Sequence, residues 1–382
     1  MHVEQVVLRD TASAASALQA LAQRPADWVL VFGAIAPLRA LDGPLKEAFP
    51  NALRTGCSTA GEISNDGVSD GSCVVTAIRW EGTRAVEAST VLQGMDDSHA
   101  AGVRLGAQLP REGLRAVWVL GQGVAVNGSA LIQGMAESLG PEVPITGGLA
   151  GDAAAFSETW VLSSEGVHND RLVCVGLYGE SLRFSHGSFG GWSPFGPARR
   201  VTRSENNVLF ELDGEPALEV YKRYLGEHAK DLPASGLLFP FAMLGSDHND
   251  IGLIRTILGV DEAAGSLTLA GEIDPDGYLK LMHANTNALV SGAEAAAQAA
   301  LEMHRQGGAG SQTGLALLVS CVGRKLVMGG RVDEEVEAVA DVFGQGAVIT
   351  GFYSNGEISP FTGNLACKLH NQTMTITYLT EA

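Results

Sequence analysis

Residues 56–64 read GCSTAGEIS and residues 351–360 read GFYSNGEISP, so a Gly, a short polar stretch with a serine, and Gly-Glu-Ile-Ser recur far apart in one chain. Each copy is entered through Thr-Gly, in Leu53 to Gly56 and in Val348 to Gly351. A shorter third version, VPITGGLAGD, occupies residues 143–152. The context repeats as well. An apolar run and a helix-forming stretch precede each copy: Trp28 to Gly33 with Ala40 to Ala48, Ala116 to Gly121 with Ala130 to Leu139, and Leu315 to Cys321 with Asp333 to Phe343. Strand-like segments follow, SCVVTAIRW at 72–80, TWVLS and RLVCVGLY in the middle, and TMTITYL at 373–379. Three copies in one order make chance an unsatisfactory explanation. The chain is expected to be α/β, with duplicated strand-helix-strand units forming two packed mixed-sheet halves with pseudo-symmetry. Continuous apolar runs such as WVLVFG suit strands buried on both faces.

Other elements lie between the second and third copies. VLFELDGEPA predicts a hairpin about Asp213-Gly214, and residues 217–225 a helix. LTLAGEIDPDGYLKL at 267–281 predicts a second hairpin, turned by Pro275-Asp276-Gly277. A long Ala-rich helix is expected from Ala288 to His304, with a glycine-rich exit at 306–310. The joint between two domains, 1–232 and 233–382, is placed near Leu232-Pro233.

Composition narrows the function. Of 382 residues, 46% are hydrophobic and 48 are glycine, which suits packed sheets joined by tight turns. Lys plus Arg number 25 against 43 Asp plus Glu, a net charge of −18 with no basic run, so nucleic acid and anionic membrane are poor partners. Five cysteines without CxxC spacing fit a reducing compartment and not a disulfide framework. The start MHVEQVVLRD has no leader pattern and no apolar run is long enough to span a bilayer, so a cytoplasmic protein is expected.

In the repeated turn, small residues leave backbone N–H groups able to point into a cleft, with an acid at a matching place: Glu62, Asp152 or Glu357. The alternative is that the glycines build a sharp bend and the carboxylate caps a nearby N–H; for Asp152, in the shorter turn, that is the better account. Candidate ligand-binding residues are Cys57, Ser58, Thr59 and Glu62 from the first copy, Tyr353, Ser354, Asn355 and Glu357 from the last, and Trp192 in the Gly-rich aromatic stretch between them. Tyr353 offers a ring to stack and a hydroxyl to orient a ligand. Neither turn is a GxSxG elbow, and there is no Walker loop, HExxH or metal-ligand spacing, so a non-enzyme is expected.

GCSTAGEI, GGWSPFGP at 190–197, SCVGRK at 320–325 with the acidic DEEVEA after it, GFYSNGEISP and LHNQTMTITYL together resemble the FIST family, paired N- and C-terminal sensory domains, over nearly the whole chain. The resemblance implies a stand-alone small-ligand sensor of signal transduction acting on a separate partner, such as a histidine kinase or a cyclic-di-GMP enzyme. One stand-alone branch is described as a nitric-oxide-sensing haem protein, so the resemblance also implies haem with an axial His. His186 is the first candidate, because Phe189, Trp192 and Phe195 follow it in a Gly-rich turn; His370 and His283 are the alternatives. A receptor for a non-haem metabolite and a ligand-free interaction scaffold use the same body.

Overall fold

The computed structural model describes residues 1–10, 13–308, 314–361 and 366–382, so the helix exit expected at 306–310 lies partly outside the described residues. Each repeat forms the same unit: an outer strand, a helix, an inner strand, a second helix, a parallel strand, a hairpin and a return strand. In the first unit these are β1 (His2–Leu8), α1 (Ala14–Leu21), β2 (Trp28–Gly33), α2 (Ile35–Ala48), β3 (Leu53–Ser58), the hairpin β4 (Glu62–Ser64) with β5 (Gly67–Ser69), and β6 (Cys73–Arg79). The second unit has β7 (Arg84–Val91), α3 (Ser98–Gly106), β8 (Leu114–Gly121), α4 (Gly128–Leu139), β9 (Ile145–Leu149), the hairpin β10 (Val161–Ser163) with β11 (Gly166–His168), and β12 (Arg171–Tyr178).

The third unit opens with β13 (Leu182–Phe189) and is then interrupted by an insertion. The insertion carries β14 (Ser193–Pro194), β15 (Arg199–Glu205), β16 (Val208–Leu212), β17 (Glu215–Pro216), α5 (Ala217–Leu225), β18 (Phe241–Leu244), β19 (Asp250–Arg255), β20 (Ile257–Asp261), β21 (Ser266–Leu269) and β22 (Tyr278–His283). The unit resumes with α6 (Thr286–Gln306), β23 (Gly314–Cys321), α7 (Val322–Met328), α8 (Asp333–Phe343), β24 (Ala347–Ser354), the hairpin β25 (Gly356–Pro360) with β26 (Cys367–His370), and β27 (Met374–Glu381).

In every unit the inner and parallel strands pair in parallel, and the return strand runs antiparallel between the outer and inner strands. β2 and β23 are buried along their whole length, covered on one face by helices and on the other by neighbouring sheets. The Thr-Gly entry follows from this pairing. A Cβ on Gly56 would lie 1.9 Å from the Val31 carbonyl oxygen, on Gly147 1.8 Å from that of Val119, and on Gly351 1.9 Å from that of Leu318. Those carbonyls belong to the registered partners on the adjacent parallel strand. The threonines are buried beside them; Trp28 Nε1 donates to Thr55 Oγ1 at 2.8 Å, and Thr76 Oγ1 donates to Thr350 Oγ1 at 3.0 Å.

The hairpin of each unit leaves its own sheet. β10–β11 joins β3 of the first unit, β25–β26 joins β9 of the second, and β4–β5 joins β24 of the third. The result is three six-stranded sheets, each built from two units, closed in a cycle. Their inner faces share one core, including Trp28, Phe32, Trp118, Leu317 and Phe352, with the Phe32 and Phe352 rings stacked at 4.8 Å. The units thus form three sheets around an axis.

The insertion folds as a nine-stranded sheet against α5, with its own core of Leu209, Tyr221, Phe241, Leu267 and Leu281. Asp213 and Gly214 have φ of 52° and 81° between β16 and β17, the left-handed pair that a tight hairpin requires. The expected hairpin at 267–281 does not form. β21 pairs with β16 and β20, whereas β22 pairs with β15 and β18. The turn chemistry is present, with Gly277 N donating to Asp274 O at 3.2 Å, but the residues before it are drawn elsewhere: Ala270 N donates to Thr256 O and Ile273 N to Asn206 O. The expected joint at 232/233 falls inside the insertion, between α5 and β18.

Candidate functional site

The three repeated turns meet at the axis, where they bind one another. Ala60 N donates to Tyr353 O at 2.8 Å and Tyr353 N to Gly61 O at 2.9 Å; Gly151 N donates to Ser58 O at 2.8 Å and Asn355 N to Leu149 O at 3.1 Å. A Cβ on Gly151 would sit 2.6 Å from Ala60 N and 2.9 Å from Tyr353 O. The backbone N–H groups expected to face a cleft are therefore consumed by neighbouring turns, because three chain segments cross in a space that admits no side chain.

The candidates in those turns are thus brought together, and they face inward. Cys57 is fully buried in the shared core, and burial pushes its thiol well above the usual range. Ser58 Oγ donates to Gly151 O at 2.7 Å and accepts from Trp160 N at 2.9 Å. Asn355 is half-buried and its Nδ2 donates to Gly123 O at 3.2 Å. Glu62 accepts from Thr59 Oγ1 at 2.6 Å, Ser72 N at 3.0 Å and Ser72 Oγ at 2.8 Å. Glu357 repeats the pattern with Ser354 Oγ at 3.0 Å, Thr373 N at 3.1 Å and Thr373 Oγ1 at 2.9 Å. Ser72 and Thr373 each stand one residue before a return strand, so both acids fasten a departing hairpin to the strand that comes back. Asp152 closes its own loop by accepting from Phe156 N, Ser157 N and Glu158 N. Burial raises the pKa of Glu62, and that of Glu357 to about 8, against the lowering effect of these donors.

Tyr353 belongs to a network that the residue patterns did not point to. Its hydroxyl donates to Glu335 Oε1 at 2.6 Å, Ser320 Oγ donates to the same oxygen at 2.9 Å, and Arg324 Nη2 meets Glu335 Oε2 at 2.7 Å. Arg324 and Glu335 have no exposed surface. The available signal was in α8, whose buried positions are Glu335, Val336 and Val339, an acid on an otherwise apolar stripe. Lys325 Nζ lies over the Tyr353 ring at 5.4 Å, donates to Ala60 O at 2.8 Å, and pairs with Asp70. This cluster locks the third unit to the hairpin of the first.

Open space lies elsewhere, between the three-sheet body and the insertion. The larger cleft, about 710 Å³, is walled by Ile132 and Gln133 of α4, Ile145 of β9 and Leu369 of β26 on one side, and by Met243 of β18 and Arg255 of β19 on the other. Arg255 is only 3% exposed. Its Nε donates to Glu272 O at 3.0 Å and its Nη1 to Ile254 O at 3.1 Å and Leu369 O at 3.3 Å. Among the described residues no carboxylate lies within ion-pair distance of it and its Nη2 has no hydrogen-bond partner; burial lowers its pKa to about 10, against the raising effect of the Glu272 carboxylate nearby. A second cleft, about 430 Å³, is bordered by Phe189, Trp192, Met282, Phe361 and His370.

Two of the three candidate histidines border or back this second cleft. His370 Nε2 lies 3.0 Å from Ser359 O, to which it donates, and the ring meets Phe361 edge-on at 5.5 Å. His186 sits two residues before Ser188 on the same face of β13, is 4% exposed, and has a buried Nδ1 without a partner. Burial lowers the pKa of both imidazoles to about 4. Trp192 Nε1 donates to Gln372 O at 2.8 Å, which leaves its ring on the cleft wall. His283 follows Met282 of the cleft wall but is itself exposed on a separate shelf with Phe195, Leu238 and Phe239. Among the described residues no group of three or more His, Cys, Asp or Glu could hold a metal ion, and no helix is long and apolar enough to cross a membrane.

Comparison with known proteins supplies the context. A protein of Methanocaldococcus jannaschii, itself described as uncharacterized, is 36% identical over 88 residues, covering 23% of this chain and 17% of that relative's length. A cyanuric acid hydrolase from A. caulinodans aligns over 99% of both chains with 9% identity and a TM-score of 0.39. A second cyanuric acid hydrolase, described as an innovation by structural concatenation, aligns over 100% of this chain and 99% of its own with 11% identity and a TM-score of 0.34. The description of the FIST N domain matches residues 27–215 and that of the FIST C domain residues 217–360. The first match takes in most of the first two units and the start of the insertion, and the second takes in the rest of the insertion and much of the third unit. On those two matches the chain belongs to the FIST family, whose domains are small-ligand sensors of signal transduction.

Proposed function

We propose that this chain is the receptor half of a signalling pair: a small organic ligand occupies the cleft between the three-sheet body and the insertion, and a separate enzyme, such as a histidine kinase or a cyclic-di-GMP enzyme, reads its occupancy. The observation that carries this reading is the cleft itself. Its volume, about 710 Å³, lies within the range of small-molecule sites, and its walls set apolar side chains such as Ile132, Leu253 and Leu369 beside charged ones, Arg255 among them. Its two walls belong to separately cored bodies, so a ligand touching both changes how they are held together. A receptor role is favoured over a catalytic one by the fixed hydroxyls of Ser58 and Ser320 and by burial that pushes the Cys57, Cys174 and Cys321 thiols upward.

A second reading, haem-based nitric oxide sensing, is favoured by the smaller cleft. Of the two histidines, His370 stands on the cleft wall with its Nε2 engaged by Ser359, whereas His186 lies behind the wall with its Nδ1 unpartnered and would have to turn toward the cleft to serve as an axial ligand. Phe189, Trp192 and Met282 supply the apolar surroundings a porphyrin needs. When bound, haem supplies an open coordination position for a diatomic gas; the chain's own part is to hold the ring and exclude water.

The test is a thermal-shift screen of metabolites on the natural chain and on Gln133→Trp, whose exposed position on α4 lets a large ring fill the larger cleft. Stabilisers that lose their effect in Gln133→Trp support the first reading; stabilisers that act equally on both overturn it. An absorption spectrum of protein grown with iron and a haem precursor separates the second reading. A stoichiometric Soret band that shifts with nitric oxide and is lost in His186→Ala favours haem.

A further inference from the structure

We infer that the ligand of the larger cleft carries a single negative charge at one end of an apolar body, and that Arg255 receives the charge; the inference rests on the cleft being the ligand site. A guanidinium removed from water is costly unless its charge is balanced by an anion or its donors are all engaged. At Arg255 three N–H groups are engaged by the carbonyls of Glu272, Ile254 and Leu369, and the two on Nη2 have no partner among the described residues. The buried guanidinium lies on the cleft wall. Nearby, Gly271 leaves room for it: a Cβ there would fall 2.9 Å from Nε and 3.0 Å from Cζ.

The Gly271-Glu272-Ile273 segment repeats the Gly-Glu-Ile wording of the axial turns but holds its acid differently. Glu62 and Glu357 are buried, whereas Glu272 is exposed at the cleft margin, where its Oε1 accepts from Asn127 Nδ2 at 3.2 Å. Glu142 and Asp274 join it, against Lys368 and Arg255 as cations. Three carboxylates against two cations repel a dianion and tolerate one compact negative charge placed at Nη2. Ile132, Val143, Leu253 and Leu369 face the remaining space, so the rest of the ligand is apolar. Since Arg255 belongs to the insertion and Leu369 to the three-sheet body, an anion on the same guanidinium reinforces a bond that already crosses between them.

The test uses hexanoate and phenylacetate as probes, with 1-hexanol and hexylammonium as controls of matched apolar size, each titrated calorimetrically into the intact natural chain, Arg255→Gln and Gln133→Trp. Expected are binding of at least one carboxylate, at least tenfold weaker binding of its alcohol and ammonium counterparts, and at least tenfold loss in Arg255→Gln. Gln133→Trp, which leaves Arg255 in place, should also abolish binding. If hexanol binds as well as hexanoate and Gln133→Trp blocks both, the cleft is the site and the anionic inference falls. If a carboxylate binds but Gln133→Trp leaves it unchanged, the cleft reading falls with it. Failure of both carboxylates to bind the natural chain overturns the inference.

Discussion

Replacing Glu357 by Gln should make the protein's stability less dependent on pH. Glu357 is fully buried at the axis, where burial raises its pKa from 4.5 to about 8. Its folded pKa lies above its unfolded one, so between these values the folded state holds a proton that the unfolded state releases. Stability from this group is present below pH 4.5 and is lost as pH rises through about 8. Over that span, at about 1.4 kcal/mol per pH unit, the loss is about 5 kcal/mol. Gln resembles the protonated acid: its oxygen accepts from Thr373 N and its amide donates to Ser354 Oγ once that hydroxyl turns.

The assay is urea denaturation of both proteins at intervals from pH 5.5 to pH 9. The repulsion of an acidic chain with net charge −18 also grows with pH, but it is common to both proteins, so the difference between the curves isolates the site. The natural chain should lose stability relative to the variant by about 1.4 kcal/mol per unit up to pH 8 and level off above it. Parallel curves would refute the reasoning, and would mean that Glu357 is ionised in the folded protein throughout.

Glu335→Gln should cost about 3–5 kcal/mol by urea denaturation, because it leaves the Arg324 guanidinium buried without its carboxylate; a cost under about 1 kcal/mol would mean that water reaches the pair. Gly351→Ala should cost at least about 3 kcal/mol or prevent folding, since its Cβ would meet the Leu318 carbonyl at 1.9 Å. Gly330→Ala, where a Cβ meets nothing within 4 Å, should be neutral or gain up to about 1 kcal/mol, so equal melting temperatures for the two would contradict the close-approach argument.

How much was legible in the amino-acid order depended on distance along the chain. The units were legible because WVLVFG, AVWVLG and LALLVSC are buried runs followed by helices and a Thr-Gly, all local signals. The crossing of hairpins was not, because β4, β5, β10 and β11 have three residues each, too few to carry an alternation that names a partner. Glu62 and Glu357 were legible as matched positions, and capping of a nearby N–H was one of their two readings, but the residues they cap were not legible. The clue lay in Ser72 and Thr373, each just before a return strand, and their separations from the acids differ. The larger cleft was illegible for a plainer reason: Ile132, Met243, Arg255 and Leu369 come from four elements that only the insertion's docking brings together. His186 drew attention by the aromatic and glycine residues that follow it, and Phe189 and Trp192 do border a cleft; nothing local in the sequence set His370, which borders the same cleft, apart from His283, which is exposed beside Phe195 and Phe239.

The cyclic exchange of hairpins sets an order for biosynthesis. β4–β5 emerges from the ribosome early, yet the strand edge it joins, at Gly351 and Phe352, follows roughly 290 residues later. At about 5–20 residues per second the first hairpin waits on the order of 15–60 s for its partner. During that time its free backbone groups form an edge that another nascent chain can pair with; strands of three residues keep the edge short. The second unit can complete the first sheet as soon as β10 is made, but the other two sheets stay open until the third unit arrives. The C-terminal unit therefore works as a keystone, and chains released before it is made carry two unfinished sheets for quality control to detect.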